Sequence, residues 1–352
     1  MDRIHIGGAG GAPSNNFIRS LRDASTDYYL IGACSTPSDL FLAKTDERHF
    51  LPPYSHENYR SALLSLLEKT KPDLVHVQND FEVRAISRMR GDVEATGAKL
   101  FLPAAETIEV CVDKMKSYAV WERAGVPVPK TRLIRDEGEL REAFAALGPK
   151  IWIRATEGGG GTGALPTDNV SFAKLWIDRF DGWGTFTASE CLTTNTVTWL
   201  SLWHEGELVV AQTRRRRSWN FGNRTLSGVT GITGVGETCS DPEVDRVAFA
   251  AIAAVDSRPH GLFGVDMTYD WTGRPNVTEI NIGRFFTTHY FFAAAGLNMA
   301  DIYCQIALKN RFPDLAKKVN PLPDGLVWIR GMDTEPVMTT AEELDRIEQI
   351  AF

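Results

Sequence analysis

Three side chains that carry oxygen ligands are spaced so that they can share one metal ion. Asp266 lies in a short apolar run of residues 262–267, and Glu279 and Asn281 stand two apart in the alternating segment of residues 276–284. Residues two apart on a β-strand project from the same face, so pairing of the two segments brings all three side chains together. Oxygen-only ligands suit Mg²⁺, which completes its coordination with waters and substrate phosphates. Two amphipathic strands with solvated polar faces would give the same pattern.

A glycine-rich segment follows a predicted strand in the middle of the chain. Residues 157–163 contain five glycines. Such a loop can bring backbone N–H groups close to phosphate oxygens, although it lacks the Lys-Ser/Thr ending of a P-loop. A flexible linker is the alternative, but Arg154 on the preceding strand favours a cover over phosphates. The candidate contacts in this loop are Gly159, Gly160, Gly161 and Thr162.

Two cations accompany these features. Lys114 lies near the start of a predicted helix over residues 112–123, and Arg154 lies near the end of a predicted strand over residues 151–155. Lysine offers phosphate a compact point charge, and arginine offers it a bidentate fork. Either residue alone is an ordinary surface charge. Because Lys114 and Arg154 occur together with the glycine loop and the acidic residues, the sequence predicts a phosphate-binding site.

A run of four arginines, residues 214–217, leaves three alternatives open. Nucleic-acid binding is disfavoured because no aromatic platform or general positive excess accompanies the run, and a solvated strand end is the default. Alternate residues of a strand face the same side, so two of the four arginines can instead face a cleft. Arg215, Arg217 and Arg224 are the candidates for binding an anionic substrate or a terminal phosphate, and the strand register stays open.

The elements that must position these residues begin with a βαβ alternation. Short strands and helices alternate over the first hundred residues, which predicts a parallel sheet covered by helices. The glycine turn at residues 7–11 is followed by Pro13 where a dinucleotide fingerprint needs its third glycine, so a nicotinamide site is not expected. Later segments predict a hairpin over residues 196–212, a helix over residues 246–255 and then the two strands that carry the oxygen ligands.

The composition of the chain excludes several classes of protein. The chain has 352 residues and a formal net charge of −7 at pH 7, so general affinity for nucleic acid or anionic membranes is not expected. No apolar segment is long enough to span a bilayer, and no signal peptide is apparent. The five cysteines stand singly, which predicts reduced thiols in a cytoplasmic protein rather than a disulfide or zinc framework.

The order of these motifs resembles the ATP-grasp superfamily, on the side of biotin carboxylase, the carbamoyl-phosphate synthetase domains and the amino-acid ligases. The resemblance spans most of the chain and rests on four segments in the proper order. These are Asp113-Lys114 with the turn at residues 124–131, the strand and glycine loop of residues 151–163, the segment Glu190-Cys191-Leu192, and the triplet Asp266, Glu279 and Asn281.

The resemblance implies a three-part α/β fold. Residues 1–103 would form an N-terminal parallel-sheet domain, the pre-ATP-grasp domain. Residues 104–186 would form a linker helix and a small lid subdomain with the glycine-rich loop. Residues 187–352 would form the C-terminal subdomain with the metal site, and ATP would lie between the last two parts.

The resemblance also implies roles for single residues. Lys114 and Arg154 would hold ATP phosphates, although the second of these cations is usually lysine in the superfamily. Glu190 would accept from the adenine amino group, and the backbone around Cys191 and Leu192 would pair with the ring edge. The triplet would hold one or two Mg²⁺ ions, and Arg284 would approach the reacting carboxylate or acyl phosphate. No equivalent of the acidic ribose contact follows the adenine segment.

The activity that the resemblance implies is ATP-dependent ligation of a small-molecule carboxylate to an amine through an acyl phosphate. A second ATP-dependent alternative has bicarbonate or carbamate as the phosphoryl acceptor. A third is a nucleotide-binding regulatory module without chemistry. A homodimer is expected by analogy only.

Overall fold

The computed structural model describes residues 1–158, 161, 163–331, 340 and 346, and its strands form three β-sheets. The first sheet contains β1 (Asp2–Gly7), β2 (Tyr28–Cys34), β3 (Glu47–Phe50), β4 (Leu74–His76) and β5 (Lys99–Leu100). All its strand pairs are parallel, in the order β3-β2-β1-β4-β5. Its helices are α1 (Ala12–Arg22), α2 (Pro37–Leu42), α3 (Tyr59–Thr70), α4 (Asp80–Arg88) and α5 (Arg90–Ala95). The predicted parallel α/β arrangement is therefore confirmed.

Two linker helices, α6 (Ala105–Val112) and α7 (Lys114–Arg123), follow the first sheet. The side chain of Asp113 caps α7 by accepting hydrogen bonds from the backbone N–H groups of Met115 and Lys116, which satisfies donors that the first turn leaves unpaired. The indole Nε1–H of Trp121 on α7 donates to the carbonyl of Ala251 at 3.0 Å. This bond joins α7 to the C-terminal part of the chain, whereas the predicted boundaries group the linker helix with the lid.

The second sheet is small and antiparallel. It contains β6 (Thr131–Ile134), β7 (Ile151–Ala155), β8 (Leu165–Thr167) and β9 (Phe186–Glu190), in the order β6-β9-β7-β8. Helices α8 (Glu137–Leu147) and α9 (Val170–Arg179) cover it. We call this sheet with its two helices the lid. The boundary predicted after residue 186 falls inside β9, so the sheet pairing extends the lid to Glu190.

The third sheet carries the candidate metal ligands. Its strands are β10 (Thr196–His204), β11 (Glu207–Trp219), β12 (Thr233–Thr238), β13 (Gly261–Tyr269), β14 (Pro275–Ile282) and β15 (Val327–Ile329), in the order β14-β13-β10-β11-β12-β15. All of its paired strands are antiparallel. Helices α10 (Pro242–Val255), α11 (Tyr290–Ala294) and α12 (Met299–Lys309) complete this part. The predicted hairpin turns at Glu205 and Gly206, between β10 and β11.

The apolar cores group the three sheets into two bodies. Two large cores join the first and third sheets: one reaches from Leu63 on α3 to Val265 on β13, and the other from Phe17 on α1 to Tyr303 on α12. A third core, which includes Ile153, lies wholly within the lid. Since burial of apolar surface is the main stabilising term in folding, the first and third sheets form one body and the lid a second. Among the described residues, no helix combines the length and apolarity needed to cross a bilayer.

Candidate active site

The three predicted oxygen ligands lie together on β13 and β14. Asp266 is directly opposite Glu279, and Gly264 is opposite Asn281. The Asn281 amide Nδ2–H donates to Asp266 Oδ2 at 3.0 Å. An irregularity in the strand pairing follows Asp266, and such bulges re-aim side chains near functional sites. Two carboxylates and one amide therefore converge on one face of the third sheet, which is an oxygen donor set that suits Mg²⁺. Within the described ranges, no group of three or more His, Cys, Asp and Glu side chains is arranged to hold a metal ion, and one of the three donors here is the amide of Asn281.

Glu279 is surrounded by cations. Its Oε2 lies 3.6 Å from Lys114 Nζ and 3.7 Å from Arg154 Nη1. Burial opposes its ionisation, but the charges of Lys114, Arg154 and Arg284 outweigh burial, so the pKa of Glu279 is lowered from its ordinary value. Burial lowers the pKa of Lys114, against the attraction of Glu279. A compact group of opposite charges is thus held in a partly buried pocket, where electrostatic interactions are stronger than in bulk water.

Lys114 is positioned from two sides. As the first residue of α7, it has its backbone N–H bonded to the carbonyl of Thr156 at 3.0 Å, just beyond β7. Its Nζ donates to the carbonyl of Gly158 at 2.6 Å. The ammonium group therefore lies between the beginning of the glycine loop and the carboxylate of Glu279.

Arg154 links the lid to the third sheet. Its Nη2 donates to the backbone carbonyl of Thr278 at 2.7 Å and to the Tyr118 hydroxyl, and Tyr118 in turn donates to the same carbonyl at 3.0 Å. The guanidinium group is consequently fixed beside Glu279 by partners on α7 and β14.

The glycine loop is described only in part. Gly158, Gly161 and Gly163 have φ angles of +97°, +75° and +70°, a region that residues with a Cβ rarely adopt. A Cβ on Gly161 would lie 2.7 Å from the carbonyl oxygen of Val229, so the connection between β11 and β12 approaches this loop closely. The predicted contacts Gly159, Gly160 and Thr162 lie outside the described residues.

The predicted adenine segment is residues 190–192, and we call this segment together with the following Thr193 the hinge. Glu190 Oε1 accepts a hydrogen bond from the backbone N–H of Lys130 at 3.0 Å. The Cys191 carbonyl accepts a hydrogen bond from Trp271 Nε1 at 3.1 Å. Two residues later, after Leu192, the Thr193 N–H donates to the Tyr269 carbonyl at 3.1 Å. The hinge thus connects the lid strand β9 to the third sheet.

The arginine run requires a correction. Arg215 and Arg217 are half-exposed and face Glu237 on β12, with Arg217 Nε donating to it at 2.7 Å. Arg224 is exposed, and its guanidinium lies 5.4 Å from the ring centroid of Phe221. The structure brings none of these three candidates into contact with the acidic triplet.

The inward-facing arginines are Arg214 and Arg216. Arg214 is only 1% exposed, and its guanidinium donates to the hydroxyls of Thr198, Thr233 and Thr288. Burial and the neighbouring charge of Arg216 lower the pKa of Arg214 to about 9.

Arg216 has similar partners. It donates to the hydroxyls of Thr196 and Thr233 at 2.8 and 3.0 Å, and its Nη2 lies 3.9 Å from Asp266 Oδ1. Burial also lowers its pKa. Two buried cations that donate mainly to neutral hydroxyls therefore lie beside the acidic triplet.

One cross-strand row connects the arginines to the triplet. Arg214 is opposite Thr198, Thr198 is opposite Asp266, and Asp266 is opposite Glu279. The Thr198 hydroxyl donates to Asp266 Oδ1. Side chains directly opposite each other across antiparallel strands share a face, so the cationic and acidic groups line one continuous surface.

Arg284 is held at the other end of this surface. Its Nε donates to Asp80 Oδ1 at 2.6 Å, and its Nη2 donates to Asn281 Oδ1. Asp80 begins α4, so this ion pair joins a helix of the first sheet to the segment that follows β14. Sequence reasoning missed Asp80 and Tyr118, since each acts through contacts between distant segments, and it left open which two arginines face inward. His289, the histidine nearest this site in sequence, is buried against Phe285, and burial lowers its pKa to about 4.

Comparison with curated proteins gives two partial relatives, and no family model matches the chain. A pyruvate carboxylase subunit of Methanothermobacter thermautotrophicus is 27% identical over 151 residues, which is 42% of this chain and 30% of that protein. D-alanine--D-alanine ligase of Delftia acidovorans is 25% identical over 103 residues, or 29% of this chain and 26% of that protein. The matched segments thus span less than a third of either relative.

Solved structures resemble nearly the whole chain. An L-amino acid ligase from Bacillus licheniformis superposes with a TM-score of 0.66 at 13% identity, covering 88% of this chain and 74% of that one. The biotin carboxylase domain of Hydrogenobacter thermophilus 2-oxoglutarate carboxylase, described as a dimer with MgADP, ADP and bicarbonate, gives 0.70 at 16% identity, covering 93% and 73%. At these identities the likeness concerns the fold.

Proposed function

We propose, from the ATP-grasp fold that this chain shares with its structural relatives, that it is an ATP- and Mg²⁺-dependent ligase. A carboxylate oxygen of one substrate would attack the γ-phosphorus of ATP and release ADP. An amine of the second substrate would then attack the acyl carbon and release phosphate, leaving an amide after loss of one proton from nitrogen. Both substrates would be small molecules.

One observation carries this proposal: the convergence of Asp266, Glu279 and Asn281 beneath Lys114 and Arg154. The donor set fits Mg²⁺, which when bound would bridge and neutralise phosphate oxygens. Lys114 and Arg154 would hold the phosphates, since they place two positive charges beside the single carboxylate of Glu279. In phosphoryl transfer the protein contributes mainly positioning and neutralisation of charge, and this group of residues is suited to both.

The remaining residues support binding of two further groups. The hinge would receive the adenine, with Glu190 accepting from its amino group and the backbone at Cys191 and Leu192 against the ring edge. Arg214 and Arg216 would bind the acceptor anion, in place of the outward Arg217. Arg284, fixed by Asp80, would face the reacting carboxylate.

Bicarbonate as the phosphoryl acceptor is the second candidate. Two observations support it: part of the sequence matches a pyruvate carboxylase subunit, and the chain shares the fold of a biotin carboxylase domain. The two buried arginines are compatible with either a carboxylate or bicarbonate, because both present planar paired oxygens. A module that binds nucleotide without chemistry would show tight ATP binding and no ADP formation.

The test is ADP release in the presence of Mg²⁺ with panels of carboxylates and amines, and separately with bicarbonate, followed by mass analysis of the products. Amide formation supports the ligase, and ADP release that depends on bicarbonate alone supports the second candidate. Glu279→Gln is expected to abolish ADP release in either case, because it removes a charged metal ligand while keeping the side-chain shape.

The matched control is Glu243→Gln. Glu243 forms an exposed ion pair with Arg246 on α10 at 2.5 Å, and exposed pairs contribute little. It should retain wild-type turnover, and far-UV circular dichroism should show that both variants are folded. Full turnover in a folded Glu279→Gln protein would refute the proposed function.

A further inference from the structure

The edge of the hinge is already hydrogen-bonded to the chain itself. In an extended segment, the C=O of one residue and the N–H of the residue two positions later point to the same side. Here those groups are the Cys191 carbonyl, which accepts from Trp271 Nε1 at 3.1 Å, and the Thr193 N–H, which donates to the Tyr269 carbonyl at 3.1 Å. Trp271 and Tyr269 belong to the hairpin between β13 and β14. An adenine amino group directed at Cys191 would therefore meet an indole donor in its place.

The hairpin turn is firmly built below the indole. The carboxylate of Asp270 accepts from the backbone N–H groups of Thr272 and Arg274 at 2.8 and 3.0 Å, and Gly273 turns the chain with φ of +86°. Thr193 adds a second bond from its hydroxyl to the Tyr269 carbonyl at 2.6 Å. The backbone of the turn is thus fixed, and it presents Trp271 to the hinge.

The indole itself is weakly held. Trp271 is 79% exposed, so its ring gives up little packing when it moves. A single neutral hydrogen bond contributes only a modest net stabilisation. Rotation of this one side chain frees the Cys191 carbonyl, whereas freeing the Thr193 N–H would require the backbone to separate.

We propose that Trp271 is a side-chain gate on the adenine hinge. Its indole occupies the Cys191 carbonyl until one N–H of the purine amino group, whose other N–H Glu190 would accept, replaces it. This inference rests on the proposed function, because it takes residues 190–193 as the purine-binding segment. The gate lowers the apparent affinity for nucleotides by the fraction of molecules in which the carbonyl is occupied. It does not affect phosphate binding, which uses Lys114 and Arg154 at the other end of the site.

The test compares Trp271→Phe and Trp271→Ala with the wild-type chain by calorimetric titration of MgADP and of inorganic tripolyphosphate. Both variants lack the indole donor, so each is expected to bind MgADP about 3- to 10-fold more tightly, the equivalent of one hydrogen bond. Tripolyphosphate has no base and should bind all three proteins equally. Addition of MgADP should also change the tryptophan fluorescence of the wild type and not that of Trp271→Phe.

Trp183→Phe is the matched control, since Trp183 is another indole donor, bonded to Asp178 in the lid at 2.7 Å. It should leave MgADP affinity unchanged and retain the fluorescence response. Weaker MgADP binding by Trp271→Ala would mean that the ring stacks on the base, and equal binding by wild type and both variants would mean that the bond is incidental. Either result overturns the gate and leaves the proposed function in place. A wild-type chain that binds neither ligand overturns the proposed function and the gate with it.

Discussion

Two buried guanidinium groups dominate the electrostatics of the site at the scale of single residues. Arg214 and Arg216 are close enough for each charge to disfavour the other, and they donate mainly to threonine hydroxyls. Among the described residues, Arg214 Nε is buried and has no hydrogen-bond partner. Burying like charges is costly unless a counter-charge arrives, so this pair is suited to an anionic ligand.

Arg216→Met is expected to raise the KM for the acceptor anion by about 10-fold or more, because a buried charge-assisted hydrogen bond is lost. Arg216 is the better choice for substitution, since Arg214 is enclosed by three threonines and serves packing as well. Steady-state kinetics with the acceptor varied at saturating ATP measures the effect. Arg217→Met removes the exposed neighbour that pairs with Glu237 and should leave KM within about 2-fold. Equal effects of the two substitutions would contradict an inward anion site.

The arginine run also marks the limit of sequence reasoning at this scale. Four consecutive arginines fit either register of a strand, since each register places two of them on each face. The choice is made by β12, where Thr233 accepts from Arg214 and Arg216 while Glu237 draws Arg215 and Arg217 outward. Glu279 and Asn281 were predictable because apolar residues alternate with them and fix their face.

At the scale of elements, the end of β14 decides where Arg284 lies. Gly283 has a φ of +69° and comes directly before Arg284, which turns back to bond Asn281. A Cβ at position 283 would lie 2.8 Å from Val83 Cγ1 on α4 and 3.2 Å from Leu102 Cδ2. Both the backbone conformation and the packed surroundings therefore require glycine.

Gly283→Ala is expected to lower the free energy of unfolding by about 2–4 kcal/mol, which combines left-handed strain of about 1 kcal/mol with the cost of overpacking a filled space. It should also reduce turnover, because Arg284 moves with its backbone. Gly273→Ala is the matched control: Gly273 also has a positive φ, +86°, but a Cβ there meets nothing within 4 Å. Gly273→Ala should therefore lower the free energy of unfolding only by the left-handed strain of about 1 kcal/mol. Denaturant titration of both variants measures the difference, and equal losses would mean that crowding at position 283 is relieved by small shifts.

Element types were largely predictable, and their partners were not. The helix predicted over residues 112–123 is α7, whose predicted end is confirmed at Arg123; its start is two residues later than predicted, because Asp113 is the N-cap. The sequence gives no sign that α6 and α7 pack on the third sheet. That choice depends on contacts such as Trp121 to Ala251, which lie far apart in the chain.

At the scale of the whole molecule, the lid is a separate body with few attachments. Its apolar core is its own, whereas the first and third sheets share two cores. Polar contacts connect the lid to both other sheets. One is the bond from Arg154 to Thr278. Another is a paired contact in which Arg84 on α4 donates to both carboxylate oxygens of Glu157, at 3.2 and 3.1 Å.

This second contact is positioned to latch the lid. Glu157 is the first residue of the glycine-rich segment, and its side chain is 40% exposed, whereas that of Arg84 is 19% exposed. A paired arginine–carboxylate contact fixes orientation as well as distance. Closure of the lid over the phosphates would exclude water from a reactive acyl phosphate, and the latch would favour the closed state before nucleotide arrives.

Arg84→Gln is therefore expected to raise amide hydrogen exchange several-fold in β7 and β8 while leaving exchange in β13 unchanged, since local opening exposes only the body that is released. Arg88→Gln is the control on the same helix, because Arg88 is 63% exposed and pairs with Glu109 away from the lid. Exchange followed by mass spectrometry, with the global unfolding free energy measured alongside, separates lid opening from general destabilisation. If Arg84→Gln and Arg88→Gln exchanged alike, the pair between Arg84 and Glu157 would not hold the lid, and its closure would depend on other contacts, such as those of Arg154 and Lys114.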